Sequence, residues 1–93
     1  MIKSFQDKQT ETLFHTGTVK RLDKALAKKA MLRLDYLSYA VQLEDLKNPP
    51  SNRFHALEGF HPTRYSISVN KQWRISFVWQ DGHAIEVCFE DYH

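Results

Sequence analysis

Five polar residues in the second half of the sequence are of types that move protons and bind anions. His55 and Arg74 fall within runs that alternate between apolar and polar residues, and Asp91, Tyr92 and His93 follow the last such run. Histidine exchanges protons near neutral pH, and arginine offers a planar fork of donors that matches a phosphate. A carboxylate can act as a base or orient a histidine, and a tyrosine can stack on a nucleobase. Two interpretations stay open: a shared site on neighbouring strands, or solvated polar residues without a common role.

Together, these residue types suit the cleavage of RNA without a metal ion. That reaction needs a base for the 2′-hydroxyl proton, an acid for the leaving 5′-oxygen and a cation for the charge on the phosphorane. Motifs for other chemistries are missing from the sequence, which has no glycine-rich phosphate loop, no zinc-type cysteine–histidine cluster and no Gly-x-Ser-x-Gly nucleophile elbow. No cofactor and no metal is therefore predicted.

The single cysteine, Cys88, excludes an internal disulfide. It falls in the apolar alternation of a predicted strand, which favours a buried or half-buried thiol over a reactive Cys–His pair. No apolar run approaches the ~20 residues of a membrane span. The N-terminus also lacks the apolar segment of a signal peptide. We therefore expect a cytoplasmic protein that does not contact a membrane.

Charge is distributed unevenly along the chain, although the net charge is only +2. Residues 1–33 hold eight basic and three acidic residues, whereas the last thirteen hold four acidic residues and no lysine or arginine. Such segregation indicates a surface that faces a polyanion beside an acidic patch. For the lysine-rich helix, a solvated outer face is the simpler interpretation unless another feature points to RNA.

The first half of the chain has the apolar spacing of helices. A short strand is predicted at residues 2–5 and a helix at residues 7–15, ended by Gly17. A longer helix is predicted from residue 18 or 20 to residue 41, because leucines and alanines recur every three or four positions. A further helical turn is expected at residues 43–46, and the proline-rich segment 48–52 ends all helix.

The second half changes to a period of two, which is typical of strands. Strands are predicted at residues 54–57, 65–69, 73–79 and 85–89, with compact turns at Asn70-Lys71 and Asp81-Gly82. Helices followed by a run of strands predict an α+β fold, in which an N-terminal strand and helices pack on one face of a curled antiparallel sheet. The length predicts a single domain over residues 1–93.

The order of these motifs resembles the HigB-type toxins of the RelE/ParE superfamily, the toxin halves of bacterial toxin–antitoxin pairs. The similarity extends over essentially the whole chain, from Met-Ile-Lys-Ser-Phe through Pro-Pro-Ser-Asn-Arg, His-Ala-Leu-Glu-Gly and Tyr-Ser-Ile-Ser-Val to Gln-Trp-Arg-Ile-Ser-Phe and Glu-Asp-Tyr-His. Each piece alone is a weak signal. The Trp-Arg-Ile strand followed by Asp-Tyr-His is more specific.

The resemblance implies a microbial-RNase-like fold and ribosome-dependent cleavage of mRNA in the A site, by attack of the 2′-hydroxyl and without a metal. The residues at the family's site positions are His55, Arg74, Asp91, Tyr92 and His93. On this basis we expect His55 and Asp91 to manage the 2′-hydroxyl proton, His93 to assist the leaving group, Arg74 to stabilise the phosphate and Tyr92 to orient a base or a neighbour. The roles can be permuted without changing the residues.

Docking on ribosomal RNA would give the basic residues a role. The candidate contacts with RNA and the ribosome are Lys20, Lys24, Lys28, Lys29, Arg53 and Lys71. One departure from the family pattern is Glu58, since some relatives have lysine in this segment, and the change removes a phosphate contact. Arg53, Arg64 and Lys71 are the candidates to compensate.

The partner implied by the resemblance is a helix-turn-helix antitoxin of the HigA type, through which alone the toxin would reach operator DNA. Two alternatives remain. One is a ParE-like toxin that poisons DNA gyrase and needs no proton-transfer residues, and the other is a weakened toxin that acts mainly as antitoxin ligand and corepressor.

Overall fold

The computed structural model describes residues 1–92 and shows two helices packed on a four-stranded antiparallel sheet. The strands follow one another in the sheet in chain order. The regular elements are α1 (Lys8–Thr16), α2 (Lys24–Tyr39), β1 (His55–Leu57), β2 (Arg64–Ser68), β3 (Trp73–Gln80) and β4 (His83–Asp91). Two short 3-10 turns, Leu43–Lys47 and Pro50–Asn52, join α2 to β1. The α+β class predicted from the sequence is confirmed.

The first helix has the boundaries that its capping residues predict. The side chain of Asp7 accepts a hydrogen bond from the backbone of Thr10 and satisfies a free amide of the first turn. Gly17 follows the helix in the left-handed conformation, with φ of 81°, and its amide donates to the Leu13 carbonyl.

The second helix starts later than predicted, at Lys24 instead of residue 18 or 20. Asp23 caps it by accepting from the Leu26 amide, and such a cap competes with continuing the helix toward its N-terminus. Lys20 therefore lies in a turn before α2 and does not extend the ridge of Lys24 and Lys28. Among residues 1–92, no helix is both long and apolar enough to cross a membrane.

The core lies between the helices and one face of the sheet. Leu34 and Leu37 of α2 are fully buried in this core. Ile75 and Phe77 of β3, which belong to the sheet face, are fully buried there too. Asp81 and Gly82 join β3 to β4 with φ of 53° and 81°, the conformation of a tight hairpin turn, as predicted.

The predicted N-terminal strand is present only as two isolated parallel bridges to β4, between Ile2 and Ala84 and between Phe5 and Val87. Between them, Glu86 has a φ of 50° at a point where the register of β3 and β4 shifts. This irregularity breaks the ladder, and the amide of Glu86 donates instead to the Ser4 hydroxyl, at 2.9 Å.

Candidate active site

Arg74 is held by an acidic neighbour on the adjacent strand. Arg74 lies on β3 directly opposite Glu90 of β4. Its Nε and Nη2 atoms donate to Oε2 of Glu90 at 3.0 and 2.6 Å. The pair is partly exposed, with 19% of the arginine and 31% of the glutamate side chain accessible. The guanidinium is therefore fixed at the surface of the sheet and keeps further N–H donors for another partner.

Glu90 belongs to a longer polar chain across the same face. Its second oxygen accepts from the Ser76 hydroxyl at 2.8 Å, and Ser76 in turn accepts from Arg64 at 3.0 Å. Burial opposes ionisation of Glu90, but the hydrogen bonds from Arg74 and Ser76 outweigh it and hold the pKa of the carboxyl below its ordinary value. We call Arg64, Arg74, Ser76 and Glu90 the polar chain.

The guanidinium of Arg64 is buried and bonded to other groups of the protein. The residue is 9% exposed and also donates to the carbonyl of Glu86, at 2.8 Å. Of the three residues expected to compensate for Glu58, Arg64 is thus already engaged by the protein. Arg53 and Lys71 are exposed and available for a ligand.

Tyr92 connects the polar chain to a neighbouring groove. The Arg74 guanidinium carbon lies 5.2 Å from the centre of the Tyr92 ring, which is a cation–π contact. Tyr92 also lines a cavity of about 310 Å³ together with Arg53, Ser68, Asn70 and Lys71. A second cavity, of about 280 Å³, shares the last four of these residues and extends to Arg33 and Ser51. We call the two overlapping cavities the basic groove.

The loop before β1 positions both Arg53 and His55. Asn52 is completely buried, and its side-chain amide donates to the carbonyls of Leu46 and Asn48, at 3.2 Å each. Arg53 follows with a left-handed φ of 48°. Its carbonyl lies 2.8 Å from Nδ1 of the exposed His55. Since a carbonyl only accepts, Nδ1 is the donor in this contact, and in the tautomer that makes it Nε2 is the nitrogen that can accept a proton.

The predicted site residues do not all lie together. His55 pairs with Ser66 of β2, and Ser66 pairs with Ser76 of β3, so His55 shares a face with the polar chain. Asp91 lies on the opposite edge strand, three strand spacings or about 14 Å away along the sheet. Its Oδ2 accepts from the Gln72 side chain at 2.9 Å. A His55–Asp91 pair is therefore not formed in this arrangement.

His93 lies outside the described residues. Tyr92, the last described residue, is anchored because its amide donates to the Gln72 carbonyl at 2.8 Å.

The four lysines predicted to contact the ribosome are exposed. Lys24, Lys28 and Lys29 lie on α2, and Lys20 lies before it. Lys28 and Lys29 border an apolar depression that also includes Leu32. Neither lysine lines the basic groove, although Lys29 lies one helical turn before Arg33, which does.

Cys88 is a half-buried free thiol. Burial, with the charges of Asp7 and Glu90 and a hydrogen bond to Glu90, raises the pKa of Cys88 to about 12. The prediction of a buried or half-buried thiol is confirmed.

The model of a family described as the RelE-like toxin of type II toxin–antitoxin system HigB matches residues 3–93. The chain belongs to this HigB-like toxin family. It is 37% identical to Toxin HigB-1 of Vibrio cholerae over 91 residues, which cover 97% of this chain and 96% of the relative. It is also 32% identical to a protein named Endoribonuclease HigB of Proteus vulgaris over the full length of both. The resemblance stated from the sequence motifs is thereby confirmed.

Several residues of this HigB-like toxin that shape the site were not predicted as site residues. They are Arg33, Asn52, Ser68, Asn70, Ser76 and Glu90. Glu90 carried the clearest signal, because it directly precedes the Asp-Tyr-His segment in the sequence. The Asp81-Gly82 turn alone would place Arg74 opposite Phe89, and the register shift between Ser76 and Val78 places it opposite Glu90 instead.

Proposed function

We propose that this HigB-like toxin is an endoribonuclease that cleaves mRNA on the ribosome by metal-independent attack of the 2′-hydroxyl. The observation that carries the proposal is the fixed Arg74–Tyr92 contact, with a partly exposed guanidinium beside a groove lined by Arg53 and Lys71. A preorganised cation stabilises the charge that develops on a phosphorane. A tyrosine ring provides a surface on which a base stacks. The name of the Proteus vulgaris relative, Endoribonuclease HigB, supports the same reaction class.

In this proposal Arg74 binds the scissile phosphate through the donors that Glu90 leaves unused. His55 takes the 2′-hydroxyl proton through Nε2, since its Nδ1 donates to the Arg53 carbonyl. His93 protonates the leaving 5′-oxygen, as the sequence resemblance implies. Tyr92 stacks on a base next to the cut. Asp91 positions the residues next to it at the end of β4 and does not pair directly with His55.

The ribosome and the antitoxin are the proposed partners. Lys20, Lys24, Lys28 and Lys29 form an exposed basic surface that suits ribosomal RNA. Membership of a type II toxin family implies an antitoxin, and we propose a helix-turn-helix protein of the HigA type that carries the toxin to operator DNA.

The experiment is primer-extension mapping of cellular transcripts after induction of the toxin. We expect cuts within translated reading frames, and none in the same transcript when its start codon is removed. A His93→Ala variant that still binds the antitoxin is expected to give no cuts. Uncut mRNA together with accumulating DNA breaks would overturn the proposal in favour of a gyrase poison. Uncut mRNA without growth arrest would indicate a weakened toxin that serves as corepressor.

A further inference from the structure

The basic groove extends beyond Tyr92 toward helix α2, where Arg33 lies at its far end. Three side chains that line the groove are cationic, namely Arg33, Arg53 and Lys71, and among residues 1–92 no acidic residue lines it. The polar chain beside it differs, because Glu90 neutralises Arg74 there. The groove therefore combines a concave shape with an uncompensated positive charge, which is the electrostatic signature of an anion site.

Arg33 is held in place by contacts that leave most of its donors unused. Its Nε donates to the Ser68 carbonyl at 2.9 Å, and its guanidinium carbon lies 5.8 Å from the centre of the Tyr36 ring. Within residues 1–92 the guanidinium makes no other hydrogen bond. A fixed arginine loses little side-chain entropy when it binds a ligand, so its terminal amino groups are preorganised for a phosphate.

Ser68 connects the groove to the catalytic face. It pairs with Arg74 in the register of β2 and β3, and its carbonyl holds Arg33. The Ser68 hydroxyl donates to the Asn70 carbonyl at 2.9 Å, which fixes the turn that carries Lys71. A chain of phosphates that passes Arg74 and Tyr92 thus has a continuous path along Ser68 to Arg33.

We propose that the basic groove binds the phosphodiester backbone of the RNA strand next to the scissile phosphate, and that Arg33 is the RNA-binding residue at its far end. The ligand class is single-stranded RNA. A phosphate chain is favoured over an acidic peptide because the groove opens onto Tyr92 and Arg74, where an aromatic ring and a guanidinium suit a nucleotide. The choice of RNA as ligand rests on the proposed function, whereas the groove itself makes a separate prediction about binding.

The test is the salt dependence of binding to a fluorescent 2′-O-methyl RNA octamer, which cannot be cleaved by 2′-hydroxyl attack. Fluorescence anisotropy is measured for the full chain at several salt concentrations between about 25 and 200 mM, a range over which phosphate contacts are strongly weakened. For single strands, each phosphate contact contributes about 0.7 to the slope of log affinity against log salt. We expect Arg33→Gln to lower the slope by about 0.7 and to weaken low-salt binding several-fold.

Two further variants separate charge from folding. Arg33→Lys keeps the charge and is expected to retain the wild-type slope. Lys47→Gln removes an exposed positive charge outside the groove and is expected to change neither slope nor affinity. A thermal melt shows that each variant is folded. An unchanged slope in folded Arg33→Gln would overturn the proposal, as would equal losses in Lys47→Gln or no detectable binding by the wild type at low salt.

The outcomes distinguish this proposal from the proposed function. If the slope falls in Arg33→Gln but the wild type cuts no mRNA, the groove is a nucleic-acid site and the proposed reaction is wrong. If mRNA is cut but Arg33→Gln alters only antitoxin binding, the groove is a peptide site and this proposal is overturned.

Discussion

The polar chain and the basic groove lie side by side, but they differ in the partners that the protein provides for their positive charges. In the polar chain, Arg64 and Arg74 donate to serine, carbonyl and carboxylate oxygens of the protein. In the basic groove, none of the described lining residues around Arg33, Arg53 and Lys71 is acidic. Tyr92 contacts both regions.

From this difference we expect the polar chain to act in the chemical step and the basic groove to act in binding. A guanidinium that is already paired attracts a distant anion only weakly, but its position is fixed. A cation in a fixed position can stabilise the charge that develops in a transition state. Unpaired charges attract a polyanion and release its counterions, which suits binding and gives a strong dependence on salt. Substitution of Arg74 should therefore alter the chemical step, substitution of its supporting partners in the polar chain should alter mainly the stability, and substitutions in the groove should alter affinity.

The largest effect is expected from Arg74→Gln, which removes the cation from the proposed catalytic face. We predict a loss of about 100-fold or more in mRNA cleavage, comparable with the removal of one donor that stabilises a transition-state charge. Single-turnover cleavage in a reconstituted translation system measures it. The matched control is Arg64→Gln on the same face, which should lower the melting temperature but retain most of the cleavage rate of the folded protein. Equal rates for Arg74→Gln and wild type would show that Arg74 serves only as a structural partner of Glu90.

A smaller effect is expected from the double variant Arg53→Gln with Lys71→Gln in the groove. Cleavage at low substrate concentration should fall about tenfold, or about 1.4 kcal/mol, while the rate at saturation stays near that of the wild type. The difference should shrink at high salt, where phosphate contacts contribute less. Steady-state kinetics at two salt concentrations check this, with Lys47→Gln as the control. A loss only in the rate at saturating substrate would contradict the proposal that the groove affects binding and not the chemical step.

Glu90→Gln should alter stability and its dependence on pH. The pKa of Glu90 in the folded state is below its ordinary value of 4.5, so its contribution is fully present above that value and is lost as the pH falls through the folded-state pKa. We predict a loss of about 1 kcal/mol at pH 7, since the pair is partly exposed, and a flatter decline of stability in acid than the wild type shows. Urea unfolding at pH 7, 4.5 and 3 measures both, with the exposed Glu58→Gln as control. Parallel pH profiles for Glu90→Gln and wild type would contradict the assignment.

The smallest effect is expected at Cys88, which lies beside the polar chain without a part in the chemistry. Because its pKa is raised to about 12, iodoacetamide should modify the folded protein at pH 7.5 at least tenfold more slowly than the urea-unfolded chain. Cys88→Ala should retain wild-type cleavage. Rapid modification of the folded protein, or loss of cleavage in Cys88→Ala, would indicate a role that this structure does not assign.

The class of the fold was predictable because each half of the chain has a clear period. The spacing of Leu34 and Leu37 predicted the helix face, and Ile75 and Phe77 predicted the buried face of β3. The start of α2 was not predictable from that spacing, since Leu22 continues the pattern although the cap at Asp23 begins the helix. Local capping overrides periodicity at such a boundary.

The sequence predicted candidate site residues by their types, and it did not predict which of them pair with one another. Arg74 was expected on the phosphate, and the structure adds that Glu90 holds it in place. Asp91 was expected beside His55, but strand order separates the two across the sheet. Arg33 gave no signal within the apolar pattern of its helix, because its place in the groove depends on how α2 packs against β2. The alternation of apolar residues does not reveal the one-residue register shift in the β3–β4 hairpin, and it does not contain the long-range packing of α2.

The most direct test of the account is the end chemistry of the cut RNA. Purified toxin is added to ribosomes that translate a defined mRNA, and the fragments are treated with polynucleotide kinase with and without prior phosphatase. Attack by the 2′-hydroxyl predicts 5′-hydroxyl ends that are labelled without phosphatase and 2′,3′-cyclic phosphates on the upstream fragments. Fragments with 5′-phosphate and 3′-hydroxyl ends, or no cleavage of the translated mRNA, would contradict it.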